Sequence, residues 1–314
     1  MAGLQGEIPS QLGRTAVVTG ATGGLGYETA LALAKAGAEV ILTGRDDRKG
    51  QSAIEKIGHE VNGAKISYER LDLASLASVA DFATRMQARP SLDLLINNAG
   101  VMALPRRQTT PDGFEMQFGT NHLGHFVFIN RIAPLLHKGS RVINLSSAGH
   151  RLSNVNLEDP NFAHTDYEPF AAYGRSKTAN ILFSVAFDRR YRARGICAAA
   201  VHPGVIQTEL GRHIDPARIE ALIDQIRKER EAQGKGPFEW KTIPQGAATS
   251  VWAAVVADAD EIGGRYCENC HVAEIVPDNV NITGGTGGVR AYALDPHTAE
   301  ALWEKSEEMV GERF

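Results

Sequence analysis

Residues 19–26 read Thr-Gly-Ala-Thr-Gly-Gly-Leu-Gly, and this stretch decides the fold. It follows a short apolar run over 14–19 that predicts a buried strand, and an Ala/Leu-rich helical pattern over 27–36 comes next. A second strand is predicted over 39–43. Because glycines lack side chains, backbone N–H groups at the start of the helix can approach a pyrophosphate closely. The pattern therefore predicts a dinucleotide-binding βαβ unit, and the flanking strands disfavour the alternative of an ordinary glycine-rich turn.

The alternation of strand and helix continues along the chain. Polar or glycine-rich residues follow the strands, as Asn97 to Gly100 follow the strand 92–96. In a parallel sheet such strand ends share one edge, where ligands bind. We therefore predict an α/β fold with a Rossmann-type, doubly wound parallel sheet. Further strands are predicted over 65–71, 92–96, 141–145 and 196–202, and helices over 75–88, 114–136 and 171–194.

The whole chain, residues 1–314, is predicted to form a single domain with its core over 14–270. A charged insertion at about 209–244 contains a predicted helix over 216–231, followed by the stretch 233–237. Since it comes directly after a strand end, we expect it to fold over the ligand edge as a lid. A surface helical hairpin is the plain alternative.

The long polar segment from Ser147 to Tyr173 also departs from the regular alternation, and loops of this length usually have a function. After the insertion, a helix is predicted over 246–257 and a last strand from Gly264 onward. The C-terminal extension, about 276–314, has glycine turns at Gly284-Gly285 and Gly287-Gly288 and a predicted helix over 296–310.

Tyr173 and Lys177 lie four residues apart in a predicted helix, so they share one helix face. A phenol titrates near about 10 in water, and a nearby ammonium lowers that pKa. The pair is therefore a candidate general acid/base. A tyrosine that packs on a lysine stem is a common alternative, but the position of the pair downstream of the glycine stretch favours the catalytic interpretation.

The composition of the 314-residue chain excludes several classes. Hydrophobic residues make up 43%, enough for a large core, and 33 basic against 37 acidic residues give a net charge of −4. The absence of a basic block argues against nucleic acid as a partner. The sequence has no apolar run of membrane-spanning length and no signal peptide, and we predict no metal site. Three cysteines cannot build a disulfide framework, which predicts a cytoplasmic protein.

The motifs and their order resemble the short-chain dehydrogenase/reductase family over most of residues 14–270. The matching motifs are Thr19-Gly20-x-x-x-Gly24-x-Gly26, Asn97-Asn98-Ala99-Gly100, Ser147 and Tyr173-x-x-x-Lys177. Within the family the chain is most similar to the retinol dehydrogenase-like branch, through residues 94–102, 121–126, 144–150 and 173–180. Members of that branch often have an N-terminal membrane anchor. Since this sequence shows none, we expect a soluble relative.

The resemblance implies a nicotinamide cofactor and hydride exchange between an alcohol and a carbonyl. Tyr173 would exchange the proton, and Lys177 would lower the pKa of the phenol and bond the nicotinamide ribose. Ser147 would bond the substrate oxygen, and Asn121 would hold a water in a relay from Lys177 to solvent. The expected cofactor-binding residues are Gly20, Thr22, Gly23, Gly24, Leu25, Gly26, Arg45, Asp72, Leu73, Asn98, Ala99, Gly100, Tyr173, Lys177, Pro203, Gly204, Ile206 and Thr208.

The end of the second strand favours NADP(H) over NAD(H). An acid there would bond the ribose 2′-hydroxyl and repel a 2′-phosphate, but position 44 is glycine and Arg45 follows. The planar guanidinium suits a phosphate. Two features weaken the preference: Gly23 stands where many NADP-dependent relatives have a basic residue, and Asp46 or Asp47 is an alternative partner for Arg45.

Two further patterns suggest a haem or metal site and additional catalytic bases, but a structural interpretation is preferred for both. The stretch 267–271, Cys-Glu-Asn-Cys-His, spells a haem-attachment or zinc pattern, but we interpret it as the end of the last strand with buried cysteines. The histidines His122, His125 and His150 suggest catalytic bases, although packing or rim positions are the more ordinary interpretation.

Three functions remain open. The first is NADP(H)-dependent interconversion of an alcohol and a carbonyl, the second is reduction of an activated C=C bond, and the third is a non-catalytic NADP-sensing protein. The first is the leading interpretation, and the intact set of Ser147, Tyr173 and Lys177 disfavours the third. The predicted substrate residues are Met102, Ser147, Tyr173 and Leu210, with the segment around 152–162 and Ile206, and they predict a hydrophobic or aromatic small molecule. The sequence leaves open whether the chain forms a homodimer or a homotetramer.

Overall fold

The computed structural model describes residues 7–232, 234, 236–279 and 287–314. The strands in these residues are β1 (Thr15–Val18), β2 (Glu39–Gly44), β3 (Ile66–Arg70), β4 (Leu92–Asn97), β5 (Leu136–Leu145), β6 (Cys197–His202), β7 (Tyr266–Glu268), β8 (His271–Val272), β9 (Ile275–Val276) and β10 (Val289–Arg290). The first eight form one sheet in the order β3-β2-β1-β4-β5-β6-β7-β8. β1 to β7 are parallel, and β8 pairs antiparallel with β7.

Helices cover both faces of the sheet. On one face Leu33, Ile57 and Val251 pack from three helices, and on the other face the aromatic residues Phe126 and Phe183 dominate the core. These two layers confirm the predicted doubly wound fold. The helices of the described residues are α1 (Gly24–Lys35), α2 (Asp47–Glu60), α3 (Leu76–Met86), α4 (Met116–Phe118), α5 (Gly124–Ile132), α6 (Pro169–Tyr191), α7 (Pro216–Ala232), α8 (Ile243–Val255), α9 (Ala259–Ile262) and α10 (Pro296–Val310).

Helix α2 was not assigned from the sequence, because its charged surface weakens the apolar pattern. Its start is fixed by Asp46, whose carboxylate accepts from the backbone N–H groups of Arg48 and Lys49 at 3.0 and 3.1 Å. Ala53 and Ile57, one turn apart, are the apolar residues that it buries. Asp46 is therefore a helix cap.

The single long helix predicted over 114–136 is wrong in detail. The segment is α4, then a π-helical turn at Gly119–Leu123, then α5 and a 3₁₀ turn at Ala133–Leu135. Pro134 cannot continue an α-helix, which explains the change after α5. β5 accordingly begins at Leu136 and is longer than the predicted strand 141–145.

The sheet ends in a hairpin that the sequence did not predict. β7 and β8 are joined by Asn269 and Cys270, both with positive φ of 50° and 60°. A two-residue hairpin turn requires this backbone conformation. Cys267 is fully buried as expected, but Cys270 is a half-buried turn residue and does not continue the strand.

The insertion predicted as a lid contains α7, as expected, whereas Gln233 and Lys235 lie outside the described residues. Within the described part of α7, Ile226 is its one buried side chain. The guanidinium of Arg218 lies 3.7 Å from the ring centroid of Phe170, near the start of α6. The insertion therefore contacts the N-terminal end of the helix that carries Tyr173 and Lys177.

The C-terminal extension packs on the core through α10, which has the predicted bounds. The ring of Trp303 lies 5.1 Å from Phe126 and 5.8 Å from Phe183, centroid to centroid. The strands β9 and β10, not predicted, pair in parallel beside the main sheet. Of the predicted turns, Gly284-Gly285 lies outside the described residues, and Gly288 has a φ of +105°. No helix in the described part of the chain is long and apolar enough to span a bilayer.

Candidate active site and cofactor cradle

The glycine loop lies between β1 and α1, at the carboxyl edge of the sheet. Gly20 and Gly24 have positive φ of 64° and 57°, which favours glycine. A Cβ on Gly26 would lie 2.5 Å from both Asn98 Nδ2 and Gly20 O, so a side chain has no room there. Cβ atoms on Gly23 and Gly24 would instead meet no atom within 4 Å. The start of α1 therefore faces open space, with the unpaired N–H groups of a helix N-terminus.

The motif Asn97 to Gly100 joins this loop to the end of β4. Asn98 Nδ2 donates to Thr19 O at 2.8 Å, and the backbone N–H groups of Asn98 and Ala99 donate to Thr19 Oγ1 at 2.9 and 3.0 Å. Since β1 and β4 are neighbours, the loop lies where the strand order reverses. That position is the usual nucleotide site of such sheets.

Position 44 lies close to the side chains of Thr22 and Tyr68. A Cβ there would lie 2.8 Å from Thr22 Cγ2, and the Tyr68 hydroxyl donates to Gly44 O at 2.9 Å. Arg45 is exposed, and the structure gives it no ion pair within the described residues. The two acids considered as its partners are engaged elsewhere: Asp46 caps α2, and Asp47 lies 3.4 Å from Arg70.

Asp72 and Leu73 lie just after β3 at the same edge. Asp72 Oδ1 accepts from the backbone N–H of Ala74 at 3.0 Å, which fixes a tight turn. Leu73 is buried, and a Cβ on Gly124 would lie 2.2 Å from its carbonyl oxygen. The turn is therefore packed directly against the start of α5.

Tyr173 lies on α6 and is 5% exposed. Burial raises the pKa of Tyr173 to about 12, against a hydrogen bond with Ser147 that lowers it. Lys177 was predicted to lower this pKa, but desolvation of the buried phenol has the larger effect and raises it. In the protein alone, Tyr173 holds its proton at neutral pH.

Lys177 lies one turn further along α6, with Nζ 5.6 Å from the ring centroid of Tyr173. Its ammonium donates to Leu145 O at 3.0 Å, and burial lowers the pKa of Lys177 to about 8. A Cβ on Gly100 would lie 3.6 Å from Nζ. The ammonium thus lies close to Gly100, in the loop after β4, and over the ring of Tyr173.

Asn121 is held in the π-helical turn and is fully buried. Its Nδ2 donates to Val101 O at 3.0 Å and to Ser176 Oγ at 2.9 Å, and its Oδ1 accepts from Val101 N at 2.8 Å. Both amide protons are therefore used by the protein. One lone pair of Oδ1 remains for a further donor.

Ser147 begins a 3₁₀ turn at Ala148–Leu152, directly after β5 and Ser146. Its Oγ accepts from the backbone N–H of Gly149 at 3.0 Å. A Cβ on Gly149 would lie 2.7 Å from Cε1 of Tyr173, so the glycine backbone lies against the phenol ring. Ser147 and Tyr173, 26 positions apart in sequence, are brought together as predicted.

The predicted cofactor segment after β6 forms an open loop. Gly204 has a φ of +95°, and a Cβ there would lie 2.9 Å from Lys241 Nζ. Ile206 bridges to Lys241 in parallel fashion. The hydroxyl of Thr208 accepts from Leu210 N at 3.3 Å, which makes it the cap of the turn at Glu209–Gly211.

A family model for short chain dehydrogenases matches residues 14–219. The chain belongs to the short-chain dehydrogenase/reductase family. It is 43% identical to a probable oxidoreductase of Streptomyces lividans, over 93% of this chain and 96% of the relative. It is 36% identical to human retinol dehydrogenase 13, over 98% of this chain and 88% of the relative. The predicted retinol dehydrogenase-like branch is thereby confirmed, and the chain is an oxidoreductase.

Solved structures of this family have the same fold. One, from Mycobacterium paratuberculosis, has a TM-score of 0.74 and 33% identity, covering 98% of this chain and 97% of that chain. Another, angucycline C-6 ketoreductase LanV with bound NADP, has a TM-score of 0.64 and 25% identity, covering 83% and 95%.

The residues predicted to contact substrate in this short-chain dehydrogenase/reductase differ in their exposure. Met102 Cε lies 4.0 Å from where a Cβ on Gly211 would be, so Met102 meets the start of the lid insertion next to Leu210. Leu152 is exposed, but Phe162 is buried beneath the guanidinium of Arg175, 3.8 Å from its ring centroid. Phe162 therefore packs beneath Arg175, and a substrate contact of the segment around 152–162 stays a prediction.

Three histidines near the catalytic residues are buried and uncharged. Burial lowers the pKa of His122 and His150 to about 3 and that of His125 to about 4. All three are buried, so of the packing and rim positions considered for them the structure shows packing. Among the described residues, no group of His, Cys, Asp or Glu is arranged to hold a metal.

Several contacts around the site had no sequence signal. His125 Nδ1 is 3.0 Å from Asn121 O and its Nε2 is 2.9 Å from Thr19 Oγ1, so it links the π-helical turn to the glycine loop. His122 Nε2 is 2.8 Å from Ser306 Oγ on α10. The helical spacing from Asn121 to His125 was the only available hint, because the other partners are distant in sequence.

Proposed function

We propose that the chain is an NADP(H)-dependent oxidoreductase that interconverts an alcohol and a carbonyl on a hydrophobic or aromatic small molecule. The observation that carries the proposal is the half-buried Ser147, whose side chain interacts with the buried Tyr173 phenol beside the Lys177 ammonium. All three lie at the sheet edge that also presents the open glycine loop. Two hydroxyls at one point can bind a single carbonyl or alcohol oxygen.

The glycine loop fits a dinucleotide, since the space above Gly23 and Gly24 is open, Gly20 has a positive φ and a side chain on Gly26 would clash with Gly20 O. A bound nicotinamide cofactor would supply or accept the hydride. We infer that the residues from Gly20 to Gly26 hold its pyrophosphate and that Asp72, Leu73 and Asn98 to Gly100 hold the adenosine part. Tyr173, Lys177 and the loop of Pro203, Gly204, Ile206 and Thr208 would hold the nicotinamide end.

The raised pKa of Tyr173 suits a proton donor, because the phenol remains protonated and can donate to a carbonyl oxygen as negative charge develops there. Ser147 would donate a second hydrogen bond to that oxygen. The free lone pair of Asn121 Oδ1 is the point where a relay water near Lys177 would donate. These roles remain predictions.

The preference for NADP(H) rests on Arg45, which is exposed, while Asp46 and Asp47 are bonded elsewhere. Arg45→Ala should weaken NADPH binding by about 10- to 100-fold, the equivalent of a lost charge-assisted hydrogen bond pair, and leave NADH binding nearly unchanged. Fluorescence titration with both cofactors measures this difference. The control is Lys49→Ala, which removes an exposed positive charge from α2. Equal losses for NADPH and NADH in Arg45→Ala would refute the preference.

We infer a hydrophobic or aromatic substrate from apolar Met102 and Leu210 near the lid insertion, and the chain's similarity to a retinol dehydrogenase and an angucycline ketoreductase supports this class. The test is a screen of aldehydes, ketones and alcohols with NADPH and NADP. Cofactor turnover with a carbonyl or alcohol supports the proposal. A saturated ketone as product would instead indicate C=C reduction, and cofactor binding without turnover would indicate a sensor.

We also propose a cellular location and an oligomeric state for the enzyme. The three cysteines are free thiols, which suits the reducing cytoplasm that the sequence favours. A homodimer or homotetramer stays a prediction that sedimentation would decide.

A further inference from the structure

His150 lies between the turn that begins at Ser147 and the C-terminal strand β10, and both nitrogens of its ring are hydrogen-bonded. Nδ1 is 2.7 Å from Ser147 O, and Nε2 is 3.1 Å from the backbone nitrogen of Arg290. A carbonyl oxygen can only accept a hydrogen bond, and a backbone N–H can only donate one. These two contacts therefore require a neutral imidazole with its proton on Nδ1, since a protonated ring could not accept from Arg290.

The backbone of His150 is held from two further sides. Its carbonyl oxygen accepts from the Tyr292 hydroxyl at 2.6 Å and from the Thr178 hydroxyl of α6 at 3.0 Å. The side chain is fully buried, and its ring centroid is 5.0 Å from that of Tyr266. Three parts of the chain thus meet at His150: the C-terminal extension, α6 and the 3₁₀ turn.

The 3₁₀ turn determines where the Ser147 hydroxyl lies. Ser147 Oγ accepts from Gly149 N–H at 3.0 Å, and the backbone of Gly149 lies against the ring of Tyr173. A small displacement of the turn would change the separation of the two hydroxyls. Misplacement of a reacting group by about 1 Å can cost a hundredfold in rate.

We propose, on the basis of the function proposed above, that His150 is a positioning residue for Ser147 through which the C-terminal extension supports the active site. The backbone N–H of Arg290 donates to Nε2, and the Nδ1–H group donates to the Ser147 carbonyl oxygen. His150 acts through Ser147 and carries no proton in the reaction. Tyr266, Arg151, Arg290 and His202 face its ring, and burial with the two arginines keeps the pKa of His150 low.

Two substitutions that introduce amide side chains test the two hydrogen bonds of the His150 ring separately. In His150→Asn the amide nitrogen takes the place of Nδ1, which keeps the donor to Ser147 O and loses the acceptor for Arg290. In His150→Gln the amide oxygen takes the place of Nε2, which keeps the acceptor and loses the donor. We expect kcat for carbonyl reduction to fall on the order of 10- to 100-fold in His150→Gln, and His150→Asn to recover most of the loss. The KM for NADPH should not change in either variant.

A second measurement does not depend on activity. Amide hydrogen exchange of Gly149, in full-length protein without cofactor, should be faster in His150→Gln than in His150→Asn, because its acceptor Ser147 Oγ is less well fixed. His297→Asn changes an exposed histidine in the same extension and serves as the matched control. It should leave both kcat and the exchange rate as in the unmodified chain.

Several outcomes would overturn the inference. Equal kcat losses in the two variants that follow their losses in Tm would give His150 a purely structural role. A group titrating near pH 6 to 7 in the pH profile of kcat, lost in both variants, would make it a proton carrier. If the unmodified chain turns over no carbonyl or alcohol, the proposed function fails. The order of Gly149 exchange rates would still decide whether His150 positions the turn.

Discussion

Tyr173→Phe is expected to lower kcat for NADPH-dependent carbonyl reduction by about 10²- to 10⁴-fold, the usual contribution of a positioned general acid. The phenol is buried beside Ser147, and its pKa of about 12 keeps the proton in place at neutral pH. Removing the hydroxyl leaves the ring and its packing intact, so the free energy of unfolding should change little. Steady-state kinetics with one carbonyl substrate and a urea titration measure the two effects.

The matched control for this substitution is Tyr266→Phe. Tyr266 is also a buried tyrosine, and its hydroxyl has no hydrogen-bond partner within the described residues. Its loss should leave kcat close to that of the unmodified chain. A Tyr173→Phe variant with undiminished kcat would remove the proton-donor role from Tyr173.

Gly26→Ala is expected to damage both stability and cofactor binding. The new Cβ would lie 2.5 Å from Asn98 Nδ2 and from Gly20 O, and one of these is backbone that cannot yield cheaply. We expect the free energy of unfolding to fall by about 1–3 kcal/mol, the usual cost of overpacking, even without cofactor. NADPH affinity should fall too, because Asn98 and the glycine loop must move apart.

Gly23→Ala in the same loop separates the two effects. Its Cβ meets no protein atom within 4 Å, and its φ of −177° is extended backbone that any residue adopts. Stability without cofactor should therefore be unchanged, while NADPH affinity falls if the open space is the pyrophosphate site. Denaturant titrations and NADPH titrations of both variants provide the comparison. Unchanged NADPH affinity in both would refute the placement of the cofactor.

The sequence was sufficient for the fold wherever local pattern determines structure. Residues 14–43 alone combine a buried strand, a glycine turn and an alanine-rich helix, and repetition of that unit implies one parallel sheet. Helix α2 was missed because charged residues on its surface hide a short apolar stripe at Ala53 and Ile57. The β7–β8 hairpin was missed because Asn269-Cys270 is not a typical turn pair.

In the candidate site, too, local sequence patterns predicted some features and could not predict others. Tyr173 and Lys177 are one helical turn apart, so their proximity follows from spacing, and the positions of Ser147 and Asn121 were implied by motifs. The pKa of Tyr173 was not predictable, because desolvation depends on packing from distant segments. The contacts of His150 with Arg290 and Tyr292 join residues about 140 positions apart and have no local signal.

The π-helical turn at Gly119–Leu123 has a consequence for how this chain can evolve. Gly124 N–H donates to Gly119 O, five residues back, so the helix contains one residue more than a regular α-helical path needs. Deleting one residue here would restore ordinary helical bonds, but it would rotate the preceding segment by about 100° relative to α5. Asn121 would then lose its contacts with Val101 and Ser176. A single deletion in this turn would therefore disrupt the site even though it regularised the helix.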